Sequence, residues 1–470
     1  MLFLTQNFRN LWAFIFVINV LFSPTLFSQT FTKIIDFEQI NGSRSHSKLI
    51  SDGTYFYGIT LLGGEHDKGV IFKIKEDGSD YIKLHDFDGT NGYKPYNSLT
   101  LVGTELFGVT FQGGLNDNGV LFKLNTDGTG FTKLIDFSVD NNGKLPQSSL
   151  LFDGTYLYGT TYSGGSNTGG GSIYKIKPDG TDYTLIHSFV GGGGNYSING
   201  SQPQNDLLID EDYLYGVTFS GGENEDGTIY RIKTDGSDFE KLHDFIDTFD
   251  HQNVSSSGLL LHEGFLYSNT FLGIENENGF IYRIKTDGSQ YEILHDFDVT
   301  MGAKPAGELV FHEEFLYGTT GAGGTYSGGI IFKIKPDGTE FSKVFDFTTE
   351  PGYGPRAGLI KFGNSLYGLT TSGGNYGHGT IYKYDDETLS IDSSVKDNKV
   401  KIYPNPVQNQ LFIELSSNYF PAEFIIYDQL GRKVMIGQIE TIRQSVNLSS
   451  LKAGIYFIEI EKETYKIIKK

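Results

Sequence analysis

The sequence predicts an all-β protein, a seven-bladed β-propeller followed by a small C-terminal β-sandwich. A motif of the form LYGxT recurs at intervals of about 50 residues, a period that occurs in propeller blades. Each repeat contains four short apolar or alternating segments, which is the number of strands in a blade. The chain also contains 61 Gly, 29 Tyr and 37 Phe, and glycine-rich turns between aromatic strands are typical of β-structure.

Residues 1–28 have the pattern of a secretory signal peptide. Arg9 precedes an apolar segment at residues 11–22, and small residues surround Ser28. Twelve apolar residues are too few for a membrane span, which needs about 20. We therefore expect cleavage after Ser28, export, and a protein that is not integral to the membrane.

The composition excludes several kinds of chemistry. There is no cysteine, so an exported form has no disulfide, thiolate ligand, cysteine nucleophile or cysteine-linked lipid. The net charge is −20, which argues against nucleic acid or an anionic membrane as a partner. Residues 400–470 carry nine Lys/Arg against seven Asp/Glu, whereas residues 29–399 carry a net charge of −23, so the chain divides into two regions.

The repeat region is predicted at residues 29–384. The LYGxT motif or a close variant lies at residues 56–60, 106–110, 157–161, 214–218, 266–270, 316–320 and 366–370. An Asp-Gly dipeptide, which favours tight hairpins, joins the third and fourth segments of six repeats, at Asp77, Asp127, Asp179, Asp235, Asp287 and Asp337.

The first repeated segment of this region stands alone. FTKIIDF at residues 31–37 resembles the end of a repeat, whereas the last repeat stops at GTIYKYD, residues 379–385, without such an end. We predict that residues 31–37 form the outer strand of the last blade and close seven blades into a ring, which removes open sheet edges. The alternative is an open solenoid of seven units.

These repeats resemble the GloVer tandem repeats, whose pattern is a G-x-x-P segment, LYGxT, GG, GxIFKI, DG and an aromatic-ended strand. The resemblance covers residues 31–384, and the fifth unit departs from it with LYSNT at residues 266–270. The family has no established activity, so the resemblance implies the propeller fold and no chemistry.

Residues that recur in every blade are interpreted as structural. One set is acidic, with Ser188 as the exception, and is predicted to cap turns: Asp36, Asp86, Asp136, Asp244, Asp296 and Asp346. A second set, His85, His187, His243 and His295, lies in different blades and is not expected to share a metal. Acidic loops at Asn116, Glu223 and Glu275 lack the spacing of a calcium loop. The sequence predicts no catalytic residue, metal or cofactor.

The long loops are predicted to lie on one face of the propeller. Second-to-third-strand loops and blade-to-blade connections share that face, because strands within a blade alternate in direction. Loops on a rigid scaffold are common binding positions, and tyrosines stack on sugar rings. We therefore single out Tyr162, Tyr196 and Tyr376 as a possible ligand face, with ordinary loop aromatics as the alternative.

After a polar linker at residues 385–399, residues 400–470 alternate apolar and polar residues in short segments, typical of a small β-sandwich. This module resembles the C-terminal sorting domain (type A) of the type IX secretion system. The matching residues are Tyr403, Pro404, Asn405, Pro406, Asp428, Gly431, Arg432, Gly454, Tyr456 and Lys466. The resemblance implies passage across an outer membrane by the secretion machinery, then release or attachment at the cell surface.

The leading functional hypothesis is a secreted or surface-displayed propeller that serves as a binding or interaction module, with a glycan or protein as ligand. The rival hypothesis is an enzyme that degrades extracellular polysaccharide through two carboxylates on the long-loop face. The sequence does not separate them.

Overall fold

The strands of the repeat region form seven antiparallel sheets. The structure, a computed structural model, describes residues 30–139, 143–166, 169–191, 197–246, 257–273, 277–386, 400–403, 407–415, 422–428, 432–441, 443–452, 454–460 and 463–470. Across these residues the secondary structure is β-strand, and no helix is present. The fold is therefore all-β, as predicted, and no described helix is a candidate for a membrane span.

We number the sheets of the repeat region 1 to 7 in chain order. Sheets 1 to 6 are each built from strands adjacent in sequence, whereas sheet 7 combines the last three strands of the region with its N-terminal strand. In sheets 3 and 4 the first two segments pair with the same neighbour and are counted together as the first strand. Sheet 1 contains Ile50–Ser51, Phe56–Thr60, Val70–Ile74 and Ile82–Asp86. Sheet 2 contains Thr100–Val102, Glu105–Thr110, Val120–Asn125 and Thr132–Asp136. Sheet 3 contains Lys144–Pro146, Leu151–Phe152, Leu157–Ser163, Ser172–Ile176 and Thr184–Ser188. Sheets 4 and 5 contain Ser201–Pro203, Leu208–Asp210, Tyr213–Ser220, Thr228–Lys233 and Glu240–Asp244; and Leu260–His262, Phe265–Thr270, Phe280–Lys285 and Glu292–Asp296. Sheets 6 and 7 contain Ala303–His312, Phe315–Ala322, Ile330–Ile334 and Ser342–Asp346; and Ile360–Phe362, Ser365–Leu369, Thr380–Asp385 and Thr30–Asp36.

Sheet 7 joins the two ends of the repeat region. Thr30–Asp36 pairs antiparallel with Thr380–Asp385, with Phe31 opposite Tyr384 and Asp36 opposite Thr380. The Phe37 amide donates to the Gly379 carbonyl at 2.9 Å. The predicted pairing of the isolated N-terminal segment with GTIYKYD is confirmed.

The second strand of each sheet is buried on both faces, which explains its LYG sequence. Phe56–Thr60 is buried throughout, because neighbouring sheets pack on either side. A Cβ atom on Gly58 would lie 2.4 Å from the ring of Phe72 on the third strand, closer than any real contact. Glycine at this position therefore makes room for the aromatic ring of the adjacent strand.

Neighbouring sheets are joined by one aromatic contact that recurs seven times. The phenylalanine that follows each fourth strand packs on the aromatic residue of the next sheet's third strand, with ring centroids 5.1–5.6 Å apart. The pairs are Phe87–Phe122, Phe137–Tyr174, Phe189–Tyr230, Phe245–Tyr282, Phe297–Phe332, Phe347–Tyr382 and Phe37–Phe72. The last pair connects sheet 7 to sheet 1, and both residues belong to one buried cluster with Tyr367 and Ile381 of sheet 7.

The end of the repeat region is held by a buried ion pair. Asp386 follows the last strand of sheet 7, and its side chain is fully buried. Its carboxylate lies 2.7 Å from the Lys333 ammonium of sheet 6 and accepts a hydrogen bond of 2.9 Å from the Tyr317 hydroxyl. These contacts fix the last residues of sheet 7 against sheet 6.

The C-terminal region forms two further antiparallel sheets. One contains Val400–Tyr403, Gln410–Leu415 and Arg443–Asn447, and the other contains Lys433–Ile439, Ala422–Asp428, Gly454–Ile460 and Glu463–Lys469. Leu411 and Ile413 of the first sheet share one buried cluster with Ile426 and Ile458 of the second. Apolar residues that alternate along these strands thus meet in a common core.

Candidate functional site

A polar cavity is lined by residues from all seven repeat units. Each unit contributes at least one residue from the segment just before its first-strand leucine, and the cavity has a volume of about 150 Å³. The residues immediately before these leucines are Lys48, Ser98, Ser149, Asp206, Gly258, Glu308 and Gly358. We call this the central cavity. These seven positions hold five residue types, namely Lys, Ser, Asp, Gly and Glu. The cavity is therefore chemically asymmetric although the scaffold repeats.

Hydrogen bonds connect four of these positions in succession. The Lys48 amide donates to the Ser98 hydroxyl at 2.8 Å, and the Ser98 amide donates to the Ser149 hydroxyl at 3.0 Å. The Ser149 amide donates to the Asp206 carboxylate at 2.5 Å. Each side chain satisfies a backbone donor of the preceding unit, which holds the cavity wall in place.

Two glycines leave room for the charged side chains. A Cβ atom on Gly258 would lie 2.4 Å from Glu308 Oε1. A Cβ atom on Gly358 would lie 3.1 Å from the Glu308 backbone nitrogen and 3.5 Å from Lys48 Cδ. The absence of a side chain at Gly258 therefore admits the Glu308 carboxylate into the cavity, and Gly358 allows the Glu308 backbone to approach closely.

Lys48, Asp206 and Glu308 form a charged cluster at the base of the cavity. The Lys48 ammonium forms an ion pair with Glu308, and the two side chains remain 32% and 24% exposed, respectively. Asp206 lies close enough to Glu308 for each carboxyl group to shift the pKa of the other. One cation thus faces two carboxyl groups, which favours a shared proton between the carboxyl groups.

The pKa values of the two carboxyl groups shift in opposite directions, upward for Asp206 and downward for Glu308. Burial and the charge of Glu308 raise the pKa of Asp206 to about 7, against the opposing effect of Lys48. Burial opposes ionisation of Glu308, but the charge of Lys48 and hydrogen bonds from Lys48 and Asp206 lower its pKa. Burial likewise opposes the charge on Lys48, yet the charges of Glu308 and Asp206 raise its pKa. At neutral pH, Glu308 and Lys48 are ionised and Asp206 is partly protonated.

The raised pKa of Asp206 predicts a pH-dependent stability. An unfolded aspartate ionises near pH 4, so between about pH 4 and pH 7 the folded state binds more protons and this group's contribution to the free energy of unfolding falls as pH rises. We expect Asp206→Asn to raise the urea midpoint relative to the wild type at about pH 8, by an amount that shrinks toward about pH 5.

Asp337→Asn is the matched control for this measurement. Asp337 lies at an exposed turn, where hydrogen bonds from the Thr339 side chain and amide lower its pKa. Its stabilising effect is present above the unfolded pKa and is lost as the pH falls, so this variant should have the opposite pH dependence. Equal effects of Asp206→Asn at both pH values would contradict the assigned pKa.

Two further cavities adjoin the central one and share lining residues with it. One, of about 270 Å³, is lined by His46, Phe271, Pro305 and Arg356, among others. The other, of about 230 Å³, is lined by Tyr96, Asn97, Gln147, Gln204 and Asn205. Within the described part of the chain, the buried Asn97 side-chain nitrogen has no hydrogen-bond acceptor. The two adjoining cavities are therefore lined by side-chain amides and aromatic rings.

The repeated acids lie where the sequence predicts and act as turn caps. The carboxylates accept hydrogen bonds of 2.7–3.0 Å from backbone amides of the second-to-third-strand loops. These carboxylates belong to Asp86, Asp136, Asp244, Asp346 and Asp36. At the exceptional position, Ser188 Oγ accepts from the Ser166 amide at 3.3 Å. The structural interpretation of this column is confirmed for these residues.

The repeated histidines stack on aromatic rings of neighbouring sheets. Ring centroids lie 3.6–4.4 Å apart in the pairs His85–Phe131, His187–Phe239, His243–Tyr291 and His295–Phe341. Phe345 occupies the equivalent position in sheet 6 and stacks on Phe31 of sheet 7 at 4.1 Å. Each histidine therefore contributes to packing between two sheets.

The predicted tyrosine face is not brought together at the central cavity. Tyr162 is half-buried in the second strand of sheet 3, where burial raises its pKa. Tyr376 is 57% exposed, and Tyr196 lies outside the described residues. Neither Tyr162 nor Tyr376 lines the three cavities. Their role in binding stays a prediction.

Two of the three acidic loops are described and form tight turns. Asn116 Nδ2 donates to the Phe137 carbonyl at 3.2 Å, and Asn224 Nδ2 donates to the Phe245 carbonyl at 3.1 Å. Glu275 lies outside the described residues. Among the described side chains, no three His, Asp or Glu residues are grouped as a metal site requires.

The central cluster was missed by sequence analysis, although the sequence contains a signal for it. Aligning the seven segments on the leucine that each contains, five of which follow G-x-x-P, places Lys48, Asp206 and Glu308 in one column, otherwise filled by serine and glycine. A charged residue in three of seven copies of a buried position is a departure from the repeat. Comparison of this column, rather than of the loops, would have identified the site.

The residues of the predicted sorting signal are partly described. Tyr403 is half-buried and stacks on Phe412, with ring centroids 5.8 Å apart. Asp428 pairs with Tyr456 across neighbouring strands, and the Tyr456 hydroxyl donates to the Lys452 carbonyl at 3.0 Å. Of the remaining predicted residues, Arg432 is exposed, and Gly454 and Lys466 lie in strands. Four others lie outside the described residues: Pro404, Asn405, Pro406 and Gly431.

Comparison with protein families identifies both regions. The Gloeobacter/Verrucomicrobia repeat matches residues 102–261 and 245–399, more than half of the chain. The chain belongs to this family. The secretion system C-terminal sorting domain matches residues 401–470. Both predicted resemblances are confirmed.

The sorting domain determines the destination of this repeat-family member. A type IX sorting domain implies interaction with the secretion machinery, followed by secretion or attachment to the cell surface. The predicted localisation is therefore confirmed.

Three solved structures are similar in fold, all at low identity. PorZ, an essential surface component of the type IX secretion system of Porphyromonas gingivalis, has 14% identity and a TM-score of 0.49, and the match covers 92% of this chain and 59% of PorZ. The extracellular domain of the one-component system protein BT4673 from B. thetaiotaomicron has 14% identity and a TM-score of 0.48, and the match covers 94% of this chain and 58% of that chain. An oligogalacturonate lyase in complex with manganese has 12% identity and a TM-score of 0.49, and the match covers 77% of this chain and 97% of that chain. The chain spans about three fifths of the length of the first two. No curated protein matches the sequence.

Proposed function

We propose that the seven sheets close into a seven-bladed β-propeller, with residues 1–28 as signal peptide, 29–384 as propeller, 385–399 as linker and 400–470 as sorting domain. Three observations support closure: the strand pairing at sheet 7, the Phe37–Phe72 contact between sheets 7 and 1, and a cavity that residues from all seven units line. An open solenoid would separate the first unit from the last.

Within this ring, we propose that the protein is an exported binding module whose ligand site is the central cavity with its two adjoining cavities, and that the ligand is a saccharide. The observation that carries this proposal is the asymmetric polar lining at the centre of a repeated scaffold. A single ligand needs unlike groups around it, and this column of the repeat places unlike charged groups together.

The chemistry of the lining suits a hydroxyl-rich ligand. Asn97, Gln147 and Gln204 offer amide donors and acceptors, and Asp206 and Glu308 offer carboxyl acceptors. Phe271 offers an apolar ring on which the carbon face of a sugar can pack. The adjoining cavities together reach the size of small-molecule sites, roughly 300–1,000 Å³.

The enzyme hypothesis requires a different arrangement of carboxyl groups. Glycoside hydrolases separate their two carboxyl groups by about 5–9.5 Å, so that water or the sugar ring lies between them. Here the Glu308 carboxylate is instead paired with the Lys48 ammonium, and the charge of Glu308 raises the pKa of Asp206, so neither water nor a sugar ring separates Glu308 from its nearest charged partner. This geometry supports binding over glycosidic cleavage at the central cavity.

A glycan array probed with the full exported chain tests this function. We expect hits that Asn97→Ala and Glu308→Gln weaken by about tenfold in calorimetry, because each removes one polar contact worth about 1.4 kcal/mol. Glu340→Gln, which alters an exposed ion pair with Lys335, is the matched control and should bind as the wild type does.

An array without hits would contradict saccharide binding. Hits that are unaffected by both cavity variants would place the site elsewhere, with the loop tyrosines Tyr162, Tyr196 and Tyr376 as the next positions to test. Release of reducing ends from the same sugars would favour the enzyme hypothesis instead.

A further inference from the structure

The mouth of the site is basic, although the repeat region is strongly acidic. Arg356 and Lys304 both lie next to Phe271, and Arg356 and Phe271 line one of the adjoining cavities. Residues 29–399 as a whole carry a net charge of −23. A local group of cations in such a chain points to a ligand with the opposite charge.

Two cations lie over the same aromatic ring. The Arg356 guanidinium carbon is 5.9 Å and the Lys304 ammonium 5.5 Å from the centroid of Phe271. Arg356 is exposed, and within the described residues neither cation has a carboxylate within ion-pair distance. The pair is thus available to a ligand that packs on Phe271.

The positive charges of Arg356 and Arg44 act on His46, which lines the central cavity. Burial, together with the charges of Arg356 and Arg44, lowers the pKa of His46 to about 4. His46 is therefore neutral at neutral pH and lies edge-on to Tyr96, with ring centroids 5.8 Å apart. The two arginines act on the same side chain, so the region around it is positive.

The acids of the site lie deeper and are already engaged. Glu308 is ion-paired with Lys48, and Asp206 accepts the Ser149 amide. A ligand with a carboxylate at one end and hydroxyls at the other matches this order of charges. Arginine binds a carboxylate through two parallel hydrogen bonds, whereas a neutral sugar gains nothing from the cations.

We propose that the site selects acidic saccharides, whose carboxylate lies between Arg356 and Lys304 while the sugar ring packs on Phe271 and its hydroxyls face the central cavity. This inference rests on the proposed saccharide-binding function and adds the chemical class of the ligand. Uronic acids and their oligomers are the simplest members of this class.

Calorimetry with matched sugars tests the proposal on the full exported chain. Glucuronate is compared with glucose, and galacturonate oligomers with galactose oligomers, at low and at physiological salt. We expect the acidic sugars to bind at least about tenfold more tightly, a difference of about 1.4 kcal/mol, and the preference to shrink as salt rises.

Two substitutions test whether the preference for acidic sugars depends on the cations next to Phe271. Arg356→Gln should remove most of the preference for the acid while leaving the affinity for the neutral sugar within about twofold, since only the carboxylate loses a partner. Arg283→Gln, in the third strand of sheet 5 where the arginine pairs with Glu292 of the outer strand, is the control and should keep the wild-type preference.

The outcomes separate the two proposals. Equal affinity for acidic and neutral sugars, or a preference that survives Arg356→Gln, overturns the acidic-saccharide proposal and leaves saccharide binding intact. Failure of every sugar to bind overturns both. Sulfated sugars that bind while uronates do not would also overturn the carboxylate assignment.

Discussion

Phe37→Ala is expected to lower the free energy of unfolding by about 3–5 kcal/mol, the usual cost of removing a fully buried phenylalanine. Phe37 is 0% exposed and packs on Phe72 of sheet 1 with ring centroids 5.4 Å apart. Phe37 directly follows the N-terminal strand of sheet 7, so its contact crosses the junction between the last and first sheets. Urea denaturation of the full exported chain measures the cost.

The equivalent substitution in sheet 2 provides an internal standard. Phe137 is also 0% exposed and packs on Tyr174 of sheet 3 with ring centroids 5.6 Å apart. In the proposed closed ring, Phe37→Ala and Phe137→Ala remove the same kind of contact and should cost about the same. A much smaller cost for Phe37→Ala would contradict closure, because in an open array the strand Thr30–Asp36 would lack its pairing with Thr380–Asp385, which holds Phe37 against sheet 1.

Lys48→Met is the second substitution with a large expected effect. Removing one partner of a buried ion pair costs about 3–5 kcal/mol, and the low end applies because the Lys48 side chain is 32% exposed. The variant leaves Asp206 and Glu308 together without a cation. We expect the loss to be greater at about pH 8 than at about pH 5, because protonation of one carboxyl group relieves their repulsion. Urea midpoints at the two pH values measure it.

A second change distinguishes charge from packing. Glu308→Gln in the Lys48→Met background removes the unpaired carboxylate, so the double variant should recover part of the lost stability at the higher pH. Lys335→Met is the control, since its partner Glu340 lies in an exposed turn and such pairs are worth about 0–1 kcal/mol. A pH-independent loss, or no recovery in the double variant, would contradict the proposed electrostatic role of Lys48.

Features that depend on short stretches of chain were predictable from the sequence. The strands followed from alternating apolar residues, and the caps at Asp86 and Asp136 followed from recurrence in adjacent repeats. The partner of residues 31–37 followed from counting segments, because a missing outer strand leaves one unpaired edge to fill. The sorting domain likewise followed from local motifs spread in order along residues 400–470. Repetition helped in each case, since seven copies reveal which residues serve the scaffold.

The candidate site was not predictable in this way. Sequence reasoning placed it on exposed loop tyrosines, where length and polarity drew attention. The charged cluster instead occupies short segments that precede buried leucines, inside a motif interpreted as scaffold. Its members are modest departures from the repeat, and their meaning depends on which other units they face.

By itself, the sequence determined the strands, the turns, the repeat number and the export domain, because these arise from interactions between residues near each other in the chain or in neighbouring repeats. Only the tertiary structure decided that Lys48 meets Glu308, 260 positions away, and that Asp206 joins them. The physical reason is that this meeting depends on how the sheets are arranged in space, which no short stretch of chain specifies. Contacts between neighbouring sheets, such as Phe87–Phe122 and Phe347–Tyr382, contribute to the arrangement that brings distant segments to one cavity.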